Sequence, residues 1–338
     1  MRIGLIGAGR IGAVHAATLA ATPGVDRVVV CDIDGDRARA LADVHAFEST
    51  ADPADVFGSV EGVVIGAPTP QHGELLRLAA TAGTPAFCEK PLAPDVAGTL
   101  DLIDVMERAG VALQVGFQRR FDPGYTRARA AVADGSLGFL HTVIAHTYDK
   151  APPHADYIPT SGGIFRDCSV HDFDIVRWVT GAEVRQVFAT GANKGEAFFA
   201  EAGDVDTGTA ILRMSDDTQV LIGASRYNGA GYDVRMEVHG SLGTVCVGLD
   251  DHAPLTSVED GVTWPAGEAH PLFFSRFTAA YAAELRAFLE VVEGAPSPCT
   301  GRDALRALLI ADAAEVSRAQ NRLVDVDEVE PPNTEVSA

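Results

Sequence analysis

A glycine-rich turn near the start of the chain, Gly7-Ala8-Gly9-Arg10-Ile11-Gly12, lies directly behind the apolar run at residues 2–6 and ahead of a helical pattern over 11–21. Glycines at the first, third and sixth places each have a task. The first closes a tight turn, the second lets the backbone approach a pyrophosphate, and the third lets helix and strand pack closely. The helix start adds free backbone N–H groups and a positive dipole end, which suit phosphate charge. The order strand, turn, helix makes this fingerprint specific for a dinucleotide. Asp32 ends the next apolar run, where a carboxylate accepts hydrogen bonds from ribose hydroxyls. That favours NAD and repels the additional phosphate of NADP; Arg37 and Arg39 on the following helix keep an NADP reading open.

The rest of the first third repeats this rhythm. Short apolar runs at 2–6, 27–31, 62–66, 86–88 and 112–116 alternate with helical patterns at 11–21, 36–44, 71–82 and 95–109, as parallel strands joined by crossover helices require. The expected fold is a doubly wound Rossmann sheet over residues 1–118. Beyond it the pattern changes to strand-like stretches at 141–147, 183–192, 207–214, 219–225, 232–240 and 243–248. Ser215-Asp216-Asp217 and His239-Gly240-Ser241 mark turns between antiparallel neighbours. Helical patterns return at 275–292 and 302–319. A second α+β domain on a large, mostly antiparallel sheet is therefore expected over 119–330, with a tail at 331–338. A chain of 338 residues suits two domains.

A net charge of −21 argues against a general nucleic-acid binder, which needs clustered Lys and Arg. The 5 cysteines, Cys31, Cys88, Cys168, Cys246 and Cys299, are scattered, with no Cys-x-x-Cys pair, and fit a reducing compartment. Met1 leads straight into a strand without a signal-peptide pattern, and no apolar run reaches transmembrane length. A cytoplasmic protein without membrane or nucleic-acid partners is expected. No His, Cys, Asp and Glu set shows zinc spacing, and no metal is expected.

Two further constellations carry chemistry. Cys88-Glu89-Lys90-Pro91 ends the strand at 86–88, at the carboxyl edge where open α/β sheets bind ligands. Asp167-Cys168-Ser169-Val170-His171 opens a helical pattern in which Asp167 and His171 are four residues apart and share a face. An imidazole titrates near neutrality and can take a hydroxyl proton.

Together, the glycine loop and the Glu-Lys-Pro run resemble the Gfo/Idh/MocA oxidoreductases, and the resemblance extends over nearly the whole chain. It implies that Glu89 and Lys90 belong to the cofactor site, that Lys90 also meets the reacting hydroxyl, and that Pro91 follows a cis peptide. It further implies cofactor contacts at Ala67, Pro68, Thr69 and His72, in the run through Pro70 and Gln71, and at Gln118. Within the family, residues 114–125, 170–175 and 231–234 are most similar to the inositol 2-dehydrogenases. The implied activity is NAD-dependent oxidation of a secondary hydroxyl of a cyclic polyol, with Lys90, Asp167 and His171 catalytic. Arg119, His146, Tyr148 and Tyr232 are the implied substrate contacts. Tyr148 replaces an asparagine expected there, and the 149–163 loop is dissimilar, so a pyranose sugar or an NAD-dependent glycosidase reaction stays open as the alternative. Family members often pair sheet faces, which implies a homotetramer or dimer.

Overall fold

The computed structural model describes residues 1–330; the expected tail at 331–338 lies outside the described residues. The described chain divides into two compact units.

The first unit comprises Met1–Phe121 and Ala279–Arg306. Its strands are β1 (Arg2–Ile6), β2 (Arg27–Cys31), β3 (Glu48–Thr50), β4 (Gly62–Ile65), β5 (Ala86–Glu89) and β6 (Leu113–Gly116). They form one parallel sheet in the order β3-β2-β1-β4-β5-β6, the doubly wound arrangement with its crevice at the strands' carboxyl ends. The crossovers are α1 (Arg10–Ala21), α2 (Gly35–His45), α3 (Pro53–Phe57), α4 (Thr69–Ala82) and α5 (Val96–Ala109). Asp34, Asp52 and Asp95 cap α2, α3 and α5 by accepting from backbone N–H groups. The sequence pattern locates the other strands and misses β3, whose three residues are polar and carry no apolar period.

The second unit comprises Asp122–Thr278 and the described chain from Ala307 onward. Its helices begin with α6 (Pro123–Ala133), α7 (Ile158–Ser161), α8 (Val170–Thr180) and α9 (Phe198–Glu201). Its strands are β7 (Leu140–Tyr148), β8 (Val184–Ala192), β9 (Thr207–Met214), β10 (Gln219–Ser225), β11 (Asp233–Gly240), β12 (Thr244–Val247) and β13 (Val324–Asp325). The sheet order is β12-β11-β7-β10-β9-β8-β13, antiparallel except for the parallel pair β7 and β10. Val143, Ala145 and Thr147 of β7 are buried toward α8, where the Thr147 hydroxyl donates to Asp172 Oδ2 at 2.7 Å. Alternation places Ile144, His146 and Tyr148 on the opposite face. There Ile144, Leu221 and Ile211, adjacent in register across three strands, are 36, 44 and 51% exposed. Arg129 of α6 lies over the Trp178 ring of α8, 4.3 Å from its centroid.

The expected boundary needs correction. The helical pattern at 275–292 is two helices, α10 (Phe273–Arg276) and α11 (Thr278–Val292), and α11 joins the first unit's core. Leu285, Phe288, Leu289 and Val291 are buried with Leu5, Val64 and Phe87. The Phe288 and Phe87 rings meet edge-on at 5.9 Å. Residues 279–306 therefore leave the expected 119–330 domain, and the unit boundary falls inside α12 (Gly301–Gln320). Truncating Phe288→Ala should cost about 3–5 kcal/mol of first-unit stability, read by denaturant unfolding; a loss below about 1 kcal/mol would show that α11 is not part of this core.

Candidate functional site

In the first unit, the glycine turn connects β1 to α1. Gly7 has φ +102°, and a Cβ there would lie 2.6 Å from the Gly66 and Ala67 backbone. A Cβ on Gly12 would lie 1.9 Å from the Gly7 carbonyl oxygen, so this position is held to glycine by close packing of turn and helix. Gly9 is different: a Cβ there meets no heavy atom within 4 Å. The bare backbone at Gly9 is the cradle that a pyrophosphate needs, followed by Arg10 and Ile11 in the first turn of α1.

Asp32 directly follows β2 and is nearly buried. Its Oδ2 accepts from the Ala8 N–H at 2.8 Å and its Oδ1 from the Asp34 N–H at 2.9 Å. The carboxylate thus braces the glycine turn as well as offering acceptor positions to ribose. Arg37, proposed as an NADP feature, lies 3.6 Å from Asp32 and 3.4 Å from Asp34, and Arg39 pairs with Asp36 at 3.0 Å. Both arginines already answer local carboxylates, which supports NAD. Next to Asp32, Ile33 is 89% exposed.

Ala67, Pro68 and Thr69 form the start of α4, with Pro68 at its N-cap. His72 is buried at 1% exposure, and its ring spans two loops. Nε2 is 2.8 Å from the Ala67 carbonyl and Nδ1 is 2.8 Å from the Pro91 carbonyl. His72 therefore ties the α4 entrance to the Lys90–Pro91 turn, whose peptide is cis. The ring thus braces both loops from their buried side. Glu89 likewise turns inward: its Oε1 accepts from His15 Nε2 at 2.7 Å. Gln118, Arg119 and Arg120 lie buried on one turn after β6. Arg120 pairs with Asp303 at 3.1 Å.

In the second unit, Asp167 lies on a π-helical turn, Phe165–Ser169, that runs into α8 with His171 in its first turn. The sequence suggested an ordinary helix; π-turns concentrate at functional sites. Asp167 Oδ2 accepts from Arg226 Nη2 at 2.8 Å and Oδ1 from the Tyr157 hydroxyl at 2.9 Å. Arg226 Nη1 also donates to Asp149 Oδ2 at 3.2 Å. Burial raises the Asp149 carboxyl above its ordinary value against the pull of Arg226. Burial opposes charge on Arg226 too, yet Cys168, Asp167 and Asp149 together raise it.

The other two implied substrate residues on β7 do not join this group. His146 and Tyr148 stack at 4.5 Å on the sheet face opposite Thr147, and the His146 ring is 3.2 Å from Asp233. Burial tends to raise Asp233, but His146 and Arg235 hold it below its ordinary value. The period of a strand sends adjacent residues to opposite faces, and the resemblance selected the face away from α8. Tyr232 precedes β11, two residues before Val234, which shares the buried phase facing Thr147. Arg226 and Asp149 were missed, although a signal existed. Val220, Ile222 and Ala224 are buried, and Arg226 continues their phase; Asp149 continues that of Val143, Ala145 and Thr147. A charge at a core position of a strand needs a partner.

A parallel sheet of this order, a side-chain-free cradle at the first helix and a carboxylate after the second strand define a dinucleotide-dependent enzyme fold. Residues 1–117 match the oxidoreductase family with an NAD-binding Rossmann fold, and residues 125–246 match the GFO/IDH/MocA C-terminal domain. The chain belongs to the Gfo/Idh/MocA oxidoreductase family and binds NAD through its Rossmann unit. Inositol 2-dehydrogenase of Rhizobium meliloti is 38% identical over 331 residues, covering 96% of this chain and 99% of the relative. A probable dehydrogenase from Thermotoga maritima has TM-score 0.91 and 34% identity, covering 98% of this chain and 100% of that structure. Scyllo-inositol dehydrogenase from Lactobacillus casei, solved with NAD(H) and scyllo-inositol, has TM-score 0.86 and 26% identity, covering 97% and 99%. Among the described residues no helix is long and apolar enough to cross a membrane.

Two outcomes follow from the loop geometry. Gly12→Ala should abolish NAD binding measured by calorimetry, because its Cβ meets the Gly7 carbonyl. Burial lowers His72 below 6.5 against the two carbonyls and Glu89. The unfolded chain consequently binds this proton more readily, and His72 costs stability as pH falls through 6.5 toward the lower folded value. Chemical unfolding at pH 7.5 and 5.5 should show a larger acid loss in the parent than in His72→Asn, and equal losses would dismiss this contribution.

Proposed function

We propose that the protein is an NAD-dependent dehydrogenase that oxidises one secondary hydroxyl of a cyclic polyol to a ketone, with an inositol, oxidised at the 2-position, as the preferred substrate. The observation that carries this reading is the near-full-length likeness to inositol 2-dehydrogenase of Rhizobium meliloti, 38% identical over 96% of this chain. The side chains fit the chemistry. NAD, when bound, supplies a nicotinamide that accepts hydride from the carbon bearing the hydroxyl. His171 takes the hydroxyl proton, as an imidazole base can. Lys90 steadies the developing alkoxide with a charge-assisted hydrogen bond. Asp167 holds a neighbouring hydroxyl and favours the imidazolium as it forms. Arg119 and Tyr232 contribute to the polyol site in this reading, whereas His146 and Tyr148 belong to the other face of their sheet.

The same exposed face, with Ile144, Leu221 and Ile211, supports a homo-oligomer, and we infer a tetramer in which this face meets another copy. A cytoplasmic location completes the reading and rests on the scattered cysteine pattern.

His171→Ala should lower kcat about 10²–10⁴-fold while the NAD dissociation constant stays within about twofold; undiminished turnover removes His171 from the mechanism. A panel of inositols and aldoses, followed by NADH absorbance, should give its highest kcat/KM on an inositol, and a clear preference for an aldose replaces the substrate assignment. Sedimentation of the parent and Leu221→Glu should show a tetramer and a smaller species; a monomeric parent rejects the assembly.

A further inference from the structure

On the α8 side of the second unit's sheet, the buried phase of two adjacent strands ends in opposite charges. Asp149 follows Thr147, and Arg226 follows Ala224 at 2% exposure. Backbone hydrogen bonds fix both ends: Asp149 N–H donates to Ser225 at 2.8 Å, Asn228 N–H to Asp149 at 2.7 Å, and Arg226 N–H to Asp206 at 2.8 Å. The guanidinium therefore stands on a braced frame. Its partner Asp167 stands on a π-turn, where the ordinary helical ladder is interrupted. An enclosed guanidinium is costly unless its charge and N–H groups are met, and here it spans two carboxylates, Asp149 and Asp167. The geometry offers a task for this cost.

We propose that Arg226 is a positioning residue for the dehydrogenase reaction, fixing the orientation and charge of the Asp167 carboxylate, with Asp149 as its second anchor and Tyr157 as the donor to the remaining Asp167 oxygen. The inference rests on the reading that Asp167 acts on the substrate. It assigns a role to the 149–163 loop as well: both Asp149, at its start, and Tyr157, within it, bear on this carboxylate. The loop that departs most from the resemblance is thereby linked to a residue common to it. Lysine is a poor substitute for Arg226, because one ammonium on a flexible stem does not reproduce a planar fork between two carboxylates.

The groups surrounding Asp167 set the expected pH behaviour. Arg226 favours its ionised form, Tyr157 donates to it, Asp149 opposes its charge through the shared guanidinium, Cys168 is its chain neighbour and lies 3.7 Å from Asp149, and His171 is one turn on. Removing the guanidinium takes away the opposite charge that favours the Asp167 carboxylate. The acid limb of log kcat/KM then moves to higher pH.

Asp167→Asn is measured first: lost turnover upholds the reading of Asp167, and retained turnover overturns that reading and the inference with it. Arg226→Gln should then lower kcat about 10²-fold, as misplacement by about 1 Å can, with NAD affinity unchanged within twofold and the acid limb raised. Arg226→Lys should recover less than a tenth of the lost kcat. Should the Arg226 variants fail to fold, Tyr157→Phe and Asp149→Asn decide the matter, the first moving the limb to higher pH and the second to lower. A limb unmoved in both, with Asp167→Asn inactive, overturns the positioning role of Arg226 and leaves the reading of Asp167 intact.

Discussion

A parallel sheet enclosed on both faces has few places for polar groups except the ends of its strands, and this confinement organises the first unit. Val63, Val64 and Ile65, like Ala86, Phe87 and Cys88, have no exposed surface. Polar and turn-forming residues accordingly gather where each run stops: Gly7 after β1, Asp32 directly after β2, Ala67 after β4, and Glu89 and Lys90 at the end of β5. His72 and the Asp32 carboxylate bind these loop ends to one another with hydrogen bonds of 2.8 Å. Buried polar side chains thus fix the loops at the carboxyl edge of the sheet.

The second unit solves a different problem. Its sheet has a helix-covered face and an exposed face, and a one-residue shift changes which side chains meet α8. Thr147 meets Asp172, while His146 and Tyr148 on either side of it turn to Asp233 and each other. Polar residues at consecutive positions deprive the reader of the usual alternation signal. The buried phase becomes visible only across several strands, where Asp149 and Arg226 continue rows of apolar residues.

Much of the fold was legible because local pattern and final environment agree. The apolar runs of the parallel strands, their intervening helices and the glycine turn all follow that rule. Glu48–Thr50 failed it, being short and polar, and entered the sheet through pairing with β2. The candidate site carries local signals in part: Gly7, Gly9, Gly12, Asp32 and the Asp167–His171 spacing have chemical meaning in the sequence itself. The inward turns of Glu89 and His72, and the clasp on Asp167 by residues 59 and 10 positions away, depend on tertiary neighbours.

The return of α11 to the first unit carries a consequence for biosynthesis. Leu285, Phe288, Leu289 and Val291 complete a core whose other buried members lie before residue 90. During translation the nucleotide-binding half must wait for nearly two hundred intervening residues before its apolar seam is covered, and the second unit in turn waits for its own segment from Ala307 onward, so the two halves are completed late and in succession. Splitting the chain at residue 118 would strand that seam in water, and an autonomous nucleotide-binding fragment would have to carry the α11 segment grafted to its end.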